Sequence, residues 1–539
     1  MLVEHGSDVS AQEEYGWTAL HLASDNGHID LARMLVERGS DVSAQKKNGS
    51  TALHLALRSG HVDLARMLVE HGSDVSAQEE YGWTALHLAS RHGHVDLARM
   101  LVERGSDVSS QNKGGSTALH LALWHGHVDL ARMLVERGVD VSAQEKDGWT
   151  ALHSASRHSL VDLARMLVER GADVSAQKKD GWTALHLASR HGLVDLARML
   201  VERGADMSAQ QKAGWTALHL ALCSGHVDLA RMLVECGSDV SAQGEYGWTA
   251  LHLASDHGHV DLARMLVERG ANVSAQEGDR WTALHFVSRN GHVDLARMLI
   301  ECGADVSAQD KDGWTALHLA SRNGYVDLAR MLVERGADIS AQNKDGSAVL
   351  HLASRYGHVD LAQMLIGCGA NVSAQKKDGW TALHFVSRYG HVDLARILVS
   401  CGADVSAQKK HRWTALHLAS RYGHIDLARI LVECGADVSA QKKDGWTALH
   451  FASRYGHSDL AQMLIEHSAD MSAQTKDGWT ALHLALENGN VVLARMLVGR
   501  GVDVSAQKKH WCTALLLASL YGHVDLVCFL VERSADMSA

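Results

Sequence analysis

The sequence predicts an all-α fold, a solenoid of paired short antiparallel helices joined by β-turn or hairpin-like connector fingers. Three observations predict it. A short string recurs at a fixed step of 33 residues, from Trp17-Thr18-Ala19-Leu20-His21 through Ser50-Thr51-Ala52-Leu53-His54 and Trp83-Thr84-Ala85-Leu86-His87 to Cys512-Thr513-Ala514-Leu515-Leu516. That run holds sixteen copies without an insertion or deletion, and none of the 539 residues is proline, so no Pro-rich linker separates one copy from the next. The composition is skewed, with 37 His and 14 Trp against 4 Phe, as copying one short unit many times would make it.

Within a copy, each element has a local reason. In the stretch from Asp180 to Lys212, Thr183 precedes a helical run and is placed to cap the free N–H groups of its first turn. Leu185 and Ala188 share a face at i, i+3, and Gly192 supplies a left-handed residue to end the helix. A second helix runs through Asp195, Leu196, Ala197, Met199, Leu200 and Val201. Its acid stands at the start and Arg203 at the end, which suits the helix dipole, and Gly204 stops it. A turn-rich connector then leads to the next copy. Neither helix is long enough to be stable alone, so each unit must bury its apolar face against its neighbours. With adjacent helices roughly 8–10 Å apart, sixteen units make a curved rod on the order of 150 Å long.

Hydrophobic residues make up 46% of the chain and charged residues 21%, a globular composition. The net charge of −11 is small for this length and argues against a dedicated nucleic-acid binder, which carries a basic excess. No apolar run approaches the ~20 residues that span a bilayer. Met1 leads straight into Leu-Val-Glu-His-Gly, without a basic n-region or an apolar h-region. The expectation is a cytoplasmic or more broadly intracellular chain, the nucleus included, with reduced cysteines.

The 33-residue period, the T-x-L-H-x-A start, the Gly-His between helices and the Leu-Val-Glu-x-Gly-Ala-Asp ending resemble ankyrin repeats over essentially the whole chain. One departure is systematic. The family's T-P-L-H reads T-A-L-H here, as in Thr183-Ala184-Leu185-His186, which keeps helix propensity and gives up the preset φ of proline. The resemblance implies that residues 1–12 are the trailing part of a truncated ankyrin repeat and 13–539 are sixteen tandem repeats, with no separate second domain. Met1-Leu2-Val3-Glu4 matches Met34-Leu35-Val36-Glu37, and Ala539 stops within a V-S-A-Q connector. Both ends therefore fall inside a repeat, and a fragment of a larger protein is expected.

The family implies a non-catalytic protein–protein interaction scaffold, a monomeric array with a protein partner, no cofactor, no metal and no membrane. Nucleic acid ranks below protein as a partner. The wording G-W-T-A-L-H-L-A-S and V-S-A-Q also resembles repeat arrays in fungal proteins. Some of those form the sensor half of NOD-like receptors behind a NACHT ATPase domain. The alternative it implies is the recognition arm of such a receptor, with the catalytic domain missing from this chain, since no G-x-x-x-x-G-K-[ST] loop occurs.

Fifteen histidines fill the T-A-L-H slot from His21 to His483, and twelve more follow the glycine between helices, among them His28, His61 and His523. A residue required in nearly every unit serves the unit rather than one active site. The resemblance implies that the first of these histidines bonds to the Thr hydroxyl and to the backbone of the adjoining repeat. Zinc would need three or four converging ligands, and H-E-x-x-H is absent. Cys236, Cys302, Cys368, Cys401 and Cys434 share one slot. Slots about 10 Å apart exceed the ~7 Å a disulfide can bridge, so these read as free surface thiols. Asp30 and Arg33 stand at i, i+3 on a second helix and the pair recurs, which reads as a solvated, ion-paired face.

What varies between copies is the candidate for recognition. Trp precedes the Thr in twelve repeats, including Trp17, Trp182, Trp314 and Trp446. The row is either an interaction stripe facing the groove or a set of indoles each packing its finger on its own helix. The end of the first helix reads Arg355-Tyr356, Arg388-Tyr389, Arg421-Tyr422 and Arg454-Tyr455 in four consecutive copies, the residue types of binding hot spots. Recent copying of one unit would produce the same ladder. Finger tips are acidic early, as at Glu13-Glu14 and Glu79-Glu80, and basic later, at Lys376-Lys377, Lys409-Lys410, Lys442-Lys443 and Lys508-Lys509. Together the Arg-Tyr ladder and the lysine tips suit an acidic protein partner.

Overall fold

A computed structural model of the chain describes residues 8–507 and 513–537. Among these the backbone forms 32 α-helices and no β-strand. The Met1-to-Glu4 match, the Lys508-Lys509 tip, Cys512 and Ala539 lie outside the described residues. The chain divides into two compact units, Met1–Ala254 with Asp261–Asn272, and Ser255–Val260 with Val273–Ala539. Each is a stack of helix pairs and fingers.

The pair Ala184–Arg190 and Val194–Glu202 shows how the sequence makes a unit. The Thr183 hydroxyl accepts from the His186 amide at 3.3 Å, and His186 Nδ1 in turn accepts from the Thr183 amide at 3.2 Å. This is a reciprocal capping box with histidine where Glu or Gln is usual. Leu185, Ala188, Leu196, Ala197 and Leu200 are buried between the helices, and the two alanines let the backbones approach.

Gly192 ends the first helix at φ 70°. A Cβ there would stand 2.6 Å from the His226 ring of the next repeat. That histidine lies over the helix end, where its Nε2 bonds the Arg190 carbonyl at 3.2 Å. The Gly-His slot thus caps the first helix of the preceding repeat and satisfies one of its orphan carbonyls. Where glycine is replaced at a left-handed slot, the chain keeps the conformation. Ser159, Arg280, Arg412 and Ser468 all hold φ between 59° and 66°.

The expected Asp30–Arg33 pairing within the second helix does not form among the described residues. Charges pair instead from repeat to repeat, as in Arg137–Glu103 at 3.1 Å and Arg335–Glu301 at 3.2 Å. An exposed pair on one helix gains only ~0.3–0.5 kcal/mol, too little to hold two long side chains together.

Each finger is a tight turn closed by its own backbone. In one, the Lys178 amide donates to the Trp182 carbonyl at 2.9 Å and the Gly181 amide to the Lys178 carbonyl at 2.8 Å. One further main-chain bond ties tip to tip: Lys179 N–H to Asp147 O at 2.9 Å in the first unit, and Lys377 to Asp345 at 3.2 Å and Lys410 to Asp378 at 3.0 Å in the second. No helix among the described residues is long and apolar enough to cross a membrane.

Candidate protein-docking surface

The T-A-L-H histidines are buried struts. His384 Nδ1 accepts from the Thr381 amide at 3.2 Å and lies 2.8 Å from the Thr381 hydroxyl. Its Nε2 reaches the Trp413 carbonyl of the next repeat at 3.1 Å. With Nδ1 accepting, the ring is neutral and carries its proton on Nε2, which donates across the repeat interface. Protonating Nδ1 would forfeit the amide bond and charge a buried ring. Burial is the dominant cause of a lowered pKa, opposed by the backbone acceptor at Nε2, and it holds His153, His219, His384 and His417 down to about 4. These histidines stitch one repeat to the next. Cys236, Cys302, Cys368, Cys401 and Cys434 are exposed thiols.

The tryptophans pack on the histidine and arginine of their own repeats, and several are also met by the next one, as Trp413 is by Phe451 at 4.8 Å. Trp182 sits 5.9 Å from the His186 ring and Trp380 6.1 Å from His384, centroid to centroid. The arginine that ends the first helix lies over the same indole, Arg190 at 5.6 Å from Trp182 and Arg388 at 5.7 Å from Trp380. Between successive indoles the surface forms slots at equivalent places. One of about 400 Å³ in the first unit is walled by Trp149, Arg157, Lys178 and Trp182. One of about 370 Å³ in the second unit is walled by Trp281, Arg289, Asp310, Trp314 and Arg322. No periodicity in the sequence announces these slots, because each is shared by two copies.

Three of the four Arg-Tyr pairs form cation–π contacts, and Arg388 and Arg421 each also reach the tyrosine of the next repeat. Arg388 lies 5.5 Å from the Tyr389 ring and 5.9 Å from Tyr422. Arg421 lies 5.8 Å from Tyr422 and 5.7 Å from Tyr455, and Arg355 5.6 Å from Tyr356. Each tyrosine also stacks on the histidine two residues on, as Tyr389 does on His391 at 6.2 Å. The rings stay 41–45% exposed. At the far end Arg454 is closed by Glu487 at 2.8 Å.

The two lysines of each tip part company. Lys377, Lys410 and Lys443 are exposed. Lys376, Lys409 and Lys442 fold back, with Lys409 4.5 Å from the Trp380 ring and 5.2 Å from Trp413, and Lys442 4.2 Å from Trp413. Burial lowers the Lys409 pKa below the usual lysine range. Asp378 opposes this, and Arg388, Lys442 and Arg421 add to it. Sequence reasoning treats both lysines of a tip as part of one basic surface. The alternation of a finger turn, with one side chain over the indole and the next outward, was the signal that could have separated them. An earlier basic tip was passed over altogether: Lys46 lies 3.4 Å over the Trp17 ring.

This stacking of helix pairs on buried histidine struts defines a class of repeat scaffold. Family models described as ankyrin repeats (3 copies) match residues 1–79, 39–112, 74–145, 105–178, 140–211, 204–277, 274–343, 350–442, 386–475, 434–508 and 468–539. A second model, ankyrin repeats (many copies), matches 323–366. The chain belongs to the ankyrin-repeat family. Repeats of this family are generally protein–protein interaction modules and typically non-catalytic. Among curated proteins, none matches the chain.

Proposed function

We propose that the chain is a non-catalytic protein-binding scaffold, the repeat region of a larger intracellular protein working in the cytoplasm. Its docking surface is the Arg-Tyr ladder from Arg355 to Tyr455 together with the lysine tips from Lys376 to Lys443. The observation that carries this reading is the row of exposed tyrosines, each against an arginine and Tyr422 between two of them. Rings already fixed by their neighbours lose little side-chain freedom on binding, and Tyr and Arg are the types that dominate interface energetics.

The test replaces Tyr389 and Tyr422 with Ala. Each change is expected to weaken partner capture by about 1–2 kcal/mol while helical content by circular dichroism stays constant. Unchanged affinity for every captured partner removes this surface.

A further inference from the structure

Three arginines of the ladder carry charge that no nearby carboxylate offsets. Among the described residues, no carboxylate lies within ion-pair distance of Arg355, Arg388, Lys409 or Arg421. Beyond them, Lys442 is paired with Asp444 at 3.2 Å and Arg454 with Glu487 at 2.8 Å. Upstream in the same unit, Arg289 is paired with Asp256. The residue three repeats on from Asp256 is Arg355. Among the described residues, the unpaired arginines Arg322, Arg355, Arg388 and Arg421 are contiguous, one per repeat along the end of the first helix, and the last three lie against tyrosine rings. Lys409 stands on the finger between Arg388 and Arg421.

Their spacing sets a register. Arg388 stands 5.5 Å from one tyrosine ring and 5.9 Å from the equivalent ring of the next repeat, so successive rungs lie no more than about 11 Å apart. A polyproline-II segment rises ~3.1 Å per residue with three residues per turn, which presents every third side chain on one face at a step of ~9 Å. A β-strand presents every second side chain on a face, at a step near ~7 Å, and its next same-face position lies near ~13 Å. Against the roughly 8–10 Å spacing of packed helices, the threefold step matches the ladder and the strand step falls short.

Resting on the docking reading above, we infer that the occupant is an extended acidic segment of a partner protein, with carboxylates at i, i+3 and i+6 meeting Arg355, Arg388 and Arg421 in turn. The intervening residues lie against the exposed tyrosine rings. The charges are complementary, and the desolvated Lys409 faces the middle of the bound segment.

The test is fluorescence anisotropy with the full chain at 0.15 M salt. The probes are three labelled peptides of one composition, with three Glu spaced every second, every third or every fourth residue, and an oligouridine of similar charge. The every-third peptide is expected to bind about tenfold tighter than its isomers. That preference should vanish in an Arg388→Gln, Arg421→Gln variant and largely persist in Arg388→Lys, Arg421→Lys, with helical content unchanged in both. Equal binding of the three isomers overturns the register. Tighter binding of oligouridine than of every peptide overturns the acidic segment in favour of nucleic acid. If no peptide binds while Tyr389→Ala and Tyr422→Ala still weaken partner capture, the docking surface stands and its acidic occupant falls.

Discussion

The stretches from Trp281 to Asn323 and from Trp380 to Tyr422 occupy equivalent positions three repeats apart, in the same unit. In the first, Asp310 accepts from the Trp281 indole at 3.2 Å and from the Trp314 and Asp312 amides at 2.8 Å each. Arg289 is held by Asp256, and an open slot remains between the indoles. In the second, Tyr389, Lys409, His411, Arg412 and Tyr422 stand where the first has Asn290, Asp310, Asp312, Gly313 and Asn323. Lys409 lies over both indoles and Tyr422 lies beside Arg388. The helix boundaries match, Ala283–Asn290 against Ala382–Tyr389. A few substitutions at the finger and the helix end thus turn an acid-lined slot into a cationic ladder with the helix boundaries kept, while the finger turn is redrawn at His411, φ 66°.

The largest expected effect breaks both stretches together, because both hang on the same struts. The folded pKa of His384 and His417 lies near 4, below the unfolded value of ~6.5. Below pH 6.5 the unfolded chain binds more protons than the folded one. The stabilisation is fully present above 6.5, is lost as pH falls toward 4, and is gone below the folded pKa. At pH 5.5 each such strut should give up roughly 1 kcal/mol, and the set several. Urea unfolding at pH 7.5 and pH 5.5 measures it. A midpoint that holds or rises at pH 5.5 would mean that the histidines are not neutral in the folded chain.

A smaller effect separates the two fingers. Asp310→Ala strands two amides and an indole N–H and should cost about 1–2 kcal/mol. Lys409→Ala removes a cation–π contact and should cost no more than ~1 kcal/mol. Equal losses in thermal unfolding would show that the two fingers are held alike.

The smallest change concerns the turn itself. Arg412 sits at φ 63° where the first stretch has Gly313 at φ 79°. Arg412→Gly should stabilise by about 1 kcal/mol, because a Cβ is costly in the left-handed region. Gly313→Arg should lose more than that gain, since its Cβ would also stand 3.2 Å from the Asn343 Cα. Matching melting-temperature shifts of opposite sign would show that backbone strain alone accounts for both.

The frame was legible because its determinants lie within 33 residues and recur. Thr183, His186, Gly192 and Gly204 each act on residues a few positions away or one repeat on, so periodicity displays them. The tryptophan row was ambiguous because each indole packs on its own repeat's histidine and arginine and is also reached from the next finger, as Lys409 reaches Trp380. The split between Lys409 and Lys410 does not show in composition, and only the alternation of the finger turn carries it. The closing of Arg289 by Asp256 and of Arg454 by Glu487 was hidden as well, since each pair joins two repeats through residues that vary independently.

The tether between fingertips uses only main-chain atoms. The Lys377 amide meets the Asp345 carbonyl, Lys410 meets Asp378 and Lys443 meets His411, whatever the side chains happen to be. The mechanical link and the recognition chemistry therefore sit on the same residues but in different atoms. A tip can change sign, size or aromaticity while the link stays as it is. Recognition can therefore change at the outward side chains, as at Lys377, Lys410 and Lys443, while the tether that keeps the fingers in line is retained.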